Sequence, residues 1–180
     1  MTVAKGTHNI GPDDGKLLIN VYKDGVAAKM GHDLTLEATS WSGKADINPD
    51  DPSSASVTVT VDPSSLDVLE GKGGAKPLSE SDKRDIKKNI EKVLGRSEIS
   101  FESTGVSGDA PRLQLKGNLS LGSQSRPVTL DVNAGDDGHI TASTSFNQTD
   151  FGIKPFSAML GALKVKDKVE ISVDAQLPTA

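Results

Sequence analysis

The chain has 180 residues, enough for one domain with a substantial core, and its 25 acidic side chains outnumber its 20 basic ones, which argues against a broad nucleic-acid surface. It contains no cysteine, which removes disulfides, thiol catalysis and sulfur-ligated metals. With 34% hydrophobic and only 3% aromatic residues, any interior must be built mostly from Val, Leu, Ile and Ala.

The first eight residues, Met1 to His8, lack the charged start and apolar run of a secretory leader, so a cytoplasmic location is expected. No stretch approaches the roughly 18 consecutive apolar residues of a membrane helix, so stable membrane insertion is not expected. A single domain over residues 1–180 follows from the length.

In chain order, period-2 alternation dominates. Leu17, Ile19 and Val21 alternate with more polar neighbours up to Tyr22. Leu34, Leu36 and Ala38 begin a second run that continues through Trp41 to Ile47, and Val57, Val59 and Val61 interleave with Thr58 and Thr60. These are patterns of half-buried strands. From Ser79 to Leu94 the period becomes helical, with Ile86, Ile90, Val93 and Leu94 on one stripe. Ser79 and Asp82 resemble a capping box, and Gly95 is a natural stop. Strands resume at Ile99 to Val106, Arg112 to Leu121, Arg126 to Val132, Ile140 to Phe146 and Val169 to Leu177. Lys23-Asp-Gly25, Ser107-Gly-Asp109, Gly122-Ser-Gln124 and Gly135-Asp-Asp-Gly138 suit hairpin turns. Counting Asp33 to Ile47 as one bent strand gives eight.

The expected fold is therefore all-β: eight antiparallel strands in a barrel or sandwich, with one inserted amphipathic helix at about residues 79–94. Closure into a barrel is favoured because it leaves no unpaired edge. Such a barrel is either filled with side chains or holds one small ligand. Both outcomes stay open.

Gly31-His-Asp-Leu34, Phe101-Glu-Ser-Thr104, Gly117-Asn-Leu-Ser-Leu-Gly-Ser-Gln-Ser-Arg-Pro-Val128 and Asp150-Phe-Gly-Ile153, in that order, resemble the YceI-like family. The resemblance covers most of the chain. It implies a lipocalin-like eight-stranded barrel whose lengthwise apolar cavity holds a polyisoprenoid or similar long-chain lipid. Many family members are secreted to the periplasm.

Between Phe146 and Val169 lies an irregular connection, Gln148 to Lys164, rich in Phe, Leu, Met and Gly. Connections normally run over the surface and are polar, so an apolar one points to a site. Phe151, Phe156, Met159, Leu160 and Leu163 are expected to line or cover one end of the lumen. The competing reading is a plug of ordinary core. Lys154, Lys164 and Lys166 are placed to meet an anionic headgroup. Phe101, Phe146 and Trp41 are further wall candidates, and His32 a hydrogen-bonding residue at the mouth.

Nothing nominates a reaction. His8, His32 and His139 are scattered, with His8 and His139 expected to be solvated. Asp13-Asp14 and Asp50-Asp51 lack the spaced oxygens of a calcium loop. Gly71-Lys-Gly-Gly74 lacks the ending of a phosphate loop and reads as a flexible turn. No Gly-x-Ser-x-Gly motif occurs. The residues and the resemblance together lead to a non-catalytic carrier of a long apolar molecule, without cofactor or metal, its oligomeric state open to a homodimer. The alternative is a stress-related or structural interaction protein with a filled barrel.

Overall fold

The computed structural model describes residues 3–180; Met1 and Thr2, the first residues of the leader reading, lie outside the described residues. Three long segments each break once, at a common level. The first comprises β1 (Gly6–Ile10) and β2 (Gly15–Asp24), the second β3 (His32–Ala38) and β4 (Trp41–Ile47), the third β5 (Ser56–Val61) and β6 (Leu66–Gly73). β1 pairs with β4 and β2 with β3, while β4 pairs with β5 and β3 with β6, all antiparallel. The segments thus run side by side through one corner. Its backbone groups bond across it: Thr39 N donates to Ser65 O at 3.1 Å and Asp62 N to Ser40 O at 3.1 Å. The Asp62 carboxylate accepts from the N–H of Ser64 at 2.9 Å, which fixes the turn after Pro63.

The sheet continues through β7 (Ile99–Asp109), β8 (Arg112–Leu121), β9 (Gln124–Ala134), β10 (His139–Asn147) and β12 (Leu163–Gln176), with the two-residue β11 (Ser157–Ala158) on the flank of β12. The hydrogen-bonded order is β1-β4-β5-β7-β8-β9-β10-β12-β2-β3-β6. This is a curled antiparallel sheet of lipocalin-like barrel type. Counting each bent segment once leaves eight long strands, as the alternation predicts. β1 and β6 end the strand-by-strand path only because the chain bends at the corner: β5 of the third segment pairs with β7, and β12 pairs with β2 of the first segment, so the eight strands follow one another round the barrel, as expected.

The α-helix α1 (Glu80–Leu94) covers the β6 side. The capping box is present: Asp82 N donates to Ser79 Oγ at 3.1 Å and Ser79 N to the Asp82 carboxylate at 2.9 Å. Gly95 ends the helix at φ 66°, a conformation that costs other residues strain. Ile90 and Leu94 pack on the core, but Val93 is exposed, contrary to the predicted stripe. The helix is rolled toward Lys83 and Lys87, and Lys87 forms an ion pair with Asp67 on β6.

Two of the predicted turns move. Ser107 to Asp109 belong to β7, and the connection falls at Ala110-Pro111. Gly71 to Gly73 belong to β6 rather than to a flexible turn. The packed core sits at the corner, where Trp41, Val61, Ile99, Phe101, Leu119 and Leu121 meet. Direct cross-strand pairs such as Trp41 with Val61 and Phe101 with Leu119 bring these side chains to one face.

Candidate functional site

β9 and β10 pair only between residues 131–134 and 140–143. Toward the helix-bearing end they part, joined there by the Thr144 hydroxyl donating to Thr129 O at 2.8 Å. The gap is a slot of about 810 Å³, lined by Arg126, Val128, Thr144, Phe146, Asp150, Phe151 and Lys168 among others. Its lining mixes inward and outward residues, as a groove between two parted strands does. A second, smaller cleft of about 580 Å³ lies further along the same strands, around Leu113, Val132 and Thr141.

The register identifies the inner face. Ala142 lies opposite Val132 and Val173, Phe146 opposite Val169, and Ile171 opposite Ile19. Alternation carries the same face along β9 through Leu130 and Val128 to Arg126, which stands directly opposite the buried Leu119. Val128, Leu130, Phe146, Ile171 and Val173 pack against the core yet remain only partly buried. Protein atoms do not fully cover this apolar face. Phe146 meets Phe151 edge to face at 5.1 Å between ring centroids, forming an aromatic corner of the slot. Phe151 is held there by the turn at residues 148–151, and the Thr149 N–H and hydroxyl both donate to Asp167 on β12.

The residues singled out from sequence therefore separate into groups. Phe146 and Phe151 border the slot. Trp41 and Phe101 belong to the packed corner; the Trp41 Nε1 is buried without a hydrogen-bond partner among the described residues. His32 opens β3, and its Nε2 lies 2.7 Å from Lys76 O, so the ring donates there and ties down the connection before α1. Phe156, Met159 and Leu160 do not face the interior: they are exposed, as is Lys154. Leu163, half-buried at the start of β12, packs beside Gly31. His8 is buried, with Nε2 2.6 Å from Ala4 O, and His139 pairs with Asp174 at 2.7 Å; neither is simply solvated. Arg126, Val128 and Lys168 were not singled out. Arg126 was detectable, because it shares parity with Val128, Leu130 and Val132.

Displaced pKa values do not gather at the slot. Hydrogen bonds from Thr7, Ser64 and Ser79 hold the carboxyls of Asp46, Asp62 and Asp82 respectively below the usual range. The Tyr22 phenol, donating to Glu170 at 2.8 Å, is pushed up by that bond.

Comparison with known families matches a YceI-like domain model to residues 19–177. The chain belongs to the YceI-like family. Among solved structures it is similar to BcnA of Burkholderia cenocepacia, with a TM-score of 0.60 and 14% identity, covering 88% of this chain and 94% of that one. It is also similar to a mutant YceI protein of Campylobacter jejuni with monobromobimane as guest, with a TM-score of 0.50 and 17% identity, covering 77% of this chain and 81% of that one. At these identities the likeness is one of fold. No curated protein matches the sequence. The YceI-like match and the curled sheet agree with the barrel expected from the motifs.

Proposed function

We propose that this YceI-like barrel is a non-catalytic carrier of a long apolar molecule, a polyisoprenoid or similar lipid, which enters through the slot between β9 and β10. The observation that carries this reading is the incompletely covered apolar face of Val128, Leu130, Phe146, Ile171 and Val173 behind an opening of about 810 Å³. That volume falls within the roughly 300–1,000 Å³ of small-molecule sites. Each methylene removed from water contributes about 0.8 kcal/mol, so a chain of many carbons is held strongly and a short polar metabolite is not.

The alternative, an interaction protein with a filled barrel, has the packed corner around Trp41 in its favour. Native mass spectrometry after gentle isolation from the natural host separates the two. A co-purifying mass of several hundred daltons supports carriage, and a clean apo mass sinks it.

A further inference from the structure

The apolar connection after β10 turns its side chains away from the interior and toward solvent. Phe156, Met159 and Leu160 are 47%, 54% and 109% exposed, and beside them Val26 and Met30 are 96% and 55% exposed. Two loops, residues 25–31 and 152–162, present these five side chains together. Ala27 N donates to Ala162 O at 2.8 Å, and a methyl on Gly25 would lie 2.4 Å from the same oxygen. The pairing of Lys164 with Asp24 places both loops at one end of the barrel.

Three features distinguish this tip from scattered surface leucines. Met159 and Leu160 both have φ 54°, the left-handed region, which is strained for side chains of that kind. The loops 25–31 and 152–162 contain Lys29 and Lys154 and no Asp or Glu, and Lys164 and Lys166 follow at the start of β12, with Asp24 across from Lys164 and Asp167 beside Lys166, in a chain of net charge −5. All four lysines are exposed, and none has an ion pair among the described residues.

We infer that the tip is a peripheral docking site for an anionic lipid bilayer. Val26, Met30, Phe156, Met159 and Leu160 enter the headgroup region while the lysines around them meet lipid phosphates. The rest of the protein, net acidic, is repelled by such a surface, so approach is tip first. A second copy is a poor occupant, because a two-fold contact through this patch would press the lysine collars against each other. Among the described residues no helix is long and apolar enough to cross a membrane, and docking requires none. The turn at residues 148–151 joins the tip to the slot, which places the slot beside the membrane. That last step rests on the carrier reading; docking does not.

Flotation with phosphatidylcholine vesicles containing no isoprenoid, with and without phosphatidylglycerol, tests the inference. The full chain is expected to float with the anionic vesicles, to remain below with neutral ones, and to be released by high salt. Lys154→Gln and Lys164→Gln each weaken partition about five-fold. Leu160→Asp abolishes it. That side chain is fully exposed and aspartate tolerates the left-handed backbone, so its thermal unfolding stays that of the parent chain. No flotation, equal flotation on neutral vesicles, or unchanged flotation of folded Leu160→Asp overturns docking. A concentration-dependent dimer that Leu160→Asp dissolves also overturns it, by giving the tip to a second copy. Flotation with a clean apo mass supports docking and sinks the cargo; a co-purifying lipid without flotation sinks docking alone.

Discussion

Trp41 shows how an interior can be tightly packed and still polar-deficient. Its ring is 6% exposed, among Val61, Ile99 and Leu121, while its N–H has no partner among the described residues. A buried donor left unpaired costs about 1–3 kcal/mol. Replacing Trp41 with Phe removes that cost together with part of the apolar contact, and the two changes oppose each other. Trp41→Phe is therefore expected to lower stability by less than about 1.5 kcal/mol, whereas Phe101→Ala, which only opens a cavity, costs about 3–5 kcal/mol. Urea unfolding of the two variants gives the comparison directly. A Trp41→Phe loss as large as that of Phe101→Ala means that the N–H is satisfied after all. Gly117 is the complementary case. A methyl there would lie 2.4 Å from the Phe101 ring and from Glu102 O. Two of the motifs behind the family resemblance, Phe101-Glu-Ser-Thr104 and the run from Gly117, are thus one contact in space. Gly117→Val should overpack it and destabilise by at least about 1–3 kcal/mol.

Among the elements, α1 has the most separable contribution. It has no fully buried residue and rests on the corner through Ile90 and Leu94, so much of its stability comes from its cap. Ser79→Ala removes the hydroxyl that accepts from Asp82 N and is expected to cost about 0.5–2 kcal/mol. The same cap gives an acid dependence. The Asp82 carboxyl is held below its ordinary 3.8 by the hydrogen bond from Ser79 N–H, then by the Ser79 hydroxyl. A carboxyl lowered on folding stabilises the native state fully above its unfolded value, and that contribution disappears as pH falls through the folded value. Helix content should therefore decline as pH drops below about 4, and in Asp82→Asn this part of the decline should vanish. Far-ultraviolet circular dichroism against pH checks both.

The helix and at least part of each of the eight long strands were legible, because those stretches keep one period and one turn signal. Legibility stopped where the period stops. Leu66 to Gly73 runs Leu-Asp-Val-Leu-Glu-Gly-Lys-Gly, with a register irregularity opposite Thr35 and Leu36, so β6 hid as a loop. β1 is short and polar. The irregular connection was recognisable as unusual from composition alone, but its direction was not: a segment with no period has no parity to tell inside from outside. The slot was invisible for the opposite reason. β9 and β10 are both regular, and what opens the wall is a missing ladder between them rather than any residue's type.

At the scale of the whole molecule, the apolar side chains divide between a fully buried corner and a partly buried face. The corner from Trp41 to Leu121 closes on itself, while the face from Val128 to Val173 ends at the slot with Arg126 and Lys168 on its rim. On the proposed carrier reading, an occupant with an oily tail and an anionic head meets both the apolar face and the basic rim at once. A ligand that binds only the folded state stabilises it by about 2.7 kcal/mol at a hundred-fold excess over its Kd, and at this chain length each kcal/mol moves Tm by about 2–4 °C. Delipidated protein should therefore gain several degrees in Tm on adding a long-chain prenyl phosphate, and less with the prenyl alcohol of equal length. Arg126 is exposed at the slot, so Arg126→Ala should leave the unliganded Tm unchanged and erase the difference between phosphate and alcohol. Phe146→Ala, which strips the aromatic corner, should reduce the shift with both. Thermal scans of the three proteins against the two ligands separate the roles of rim and wall: a phosphate preference that survives in Arg126→Ala removes Arg126 from headgroup recognition. No shift with either ligand in the parent protein removes the occupant from the barrel altogether.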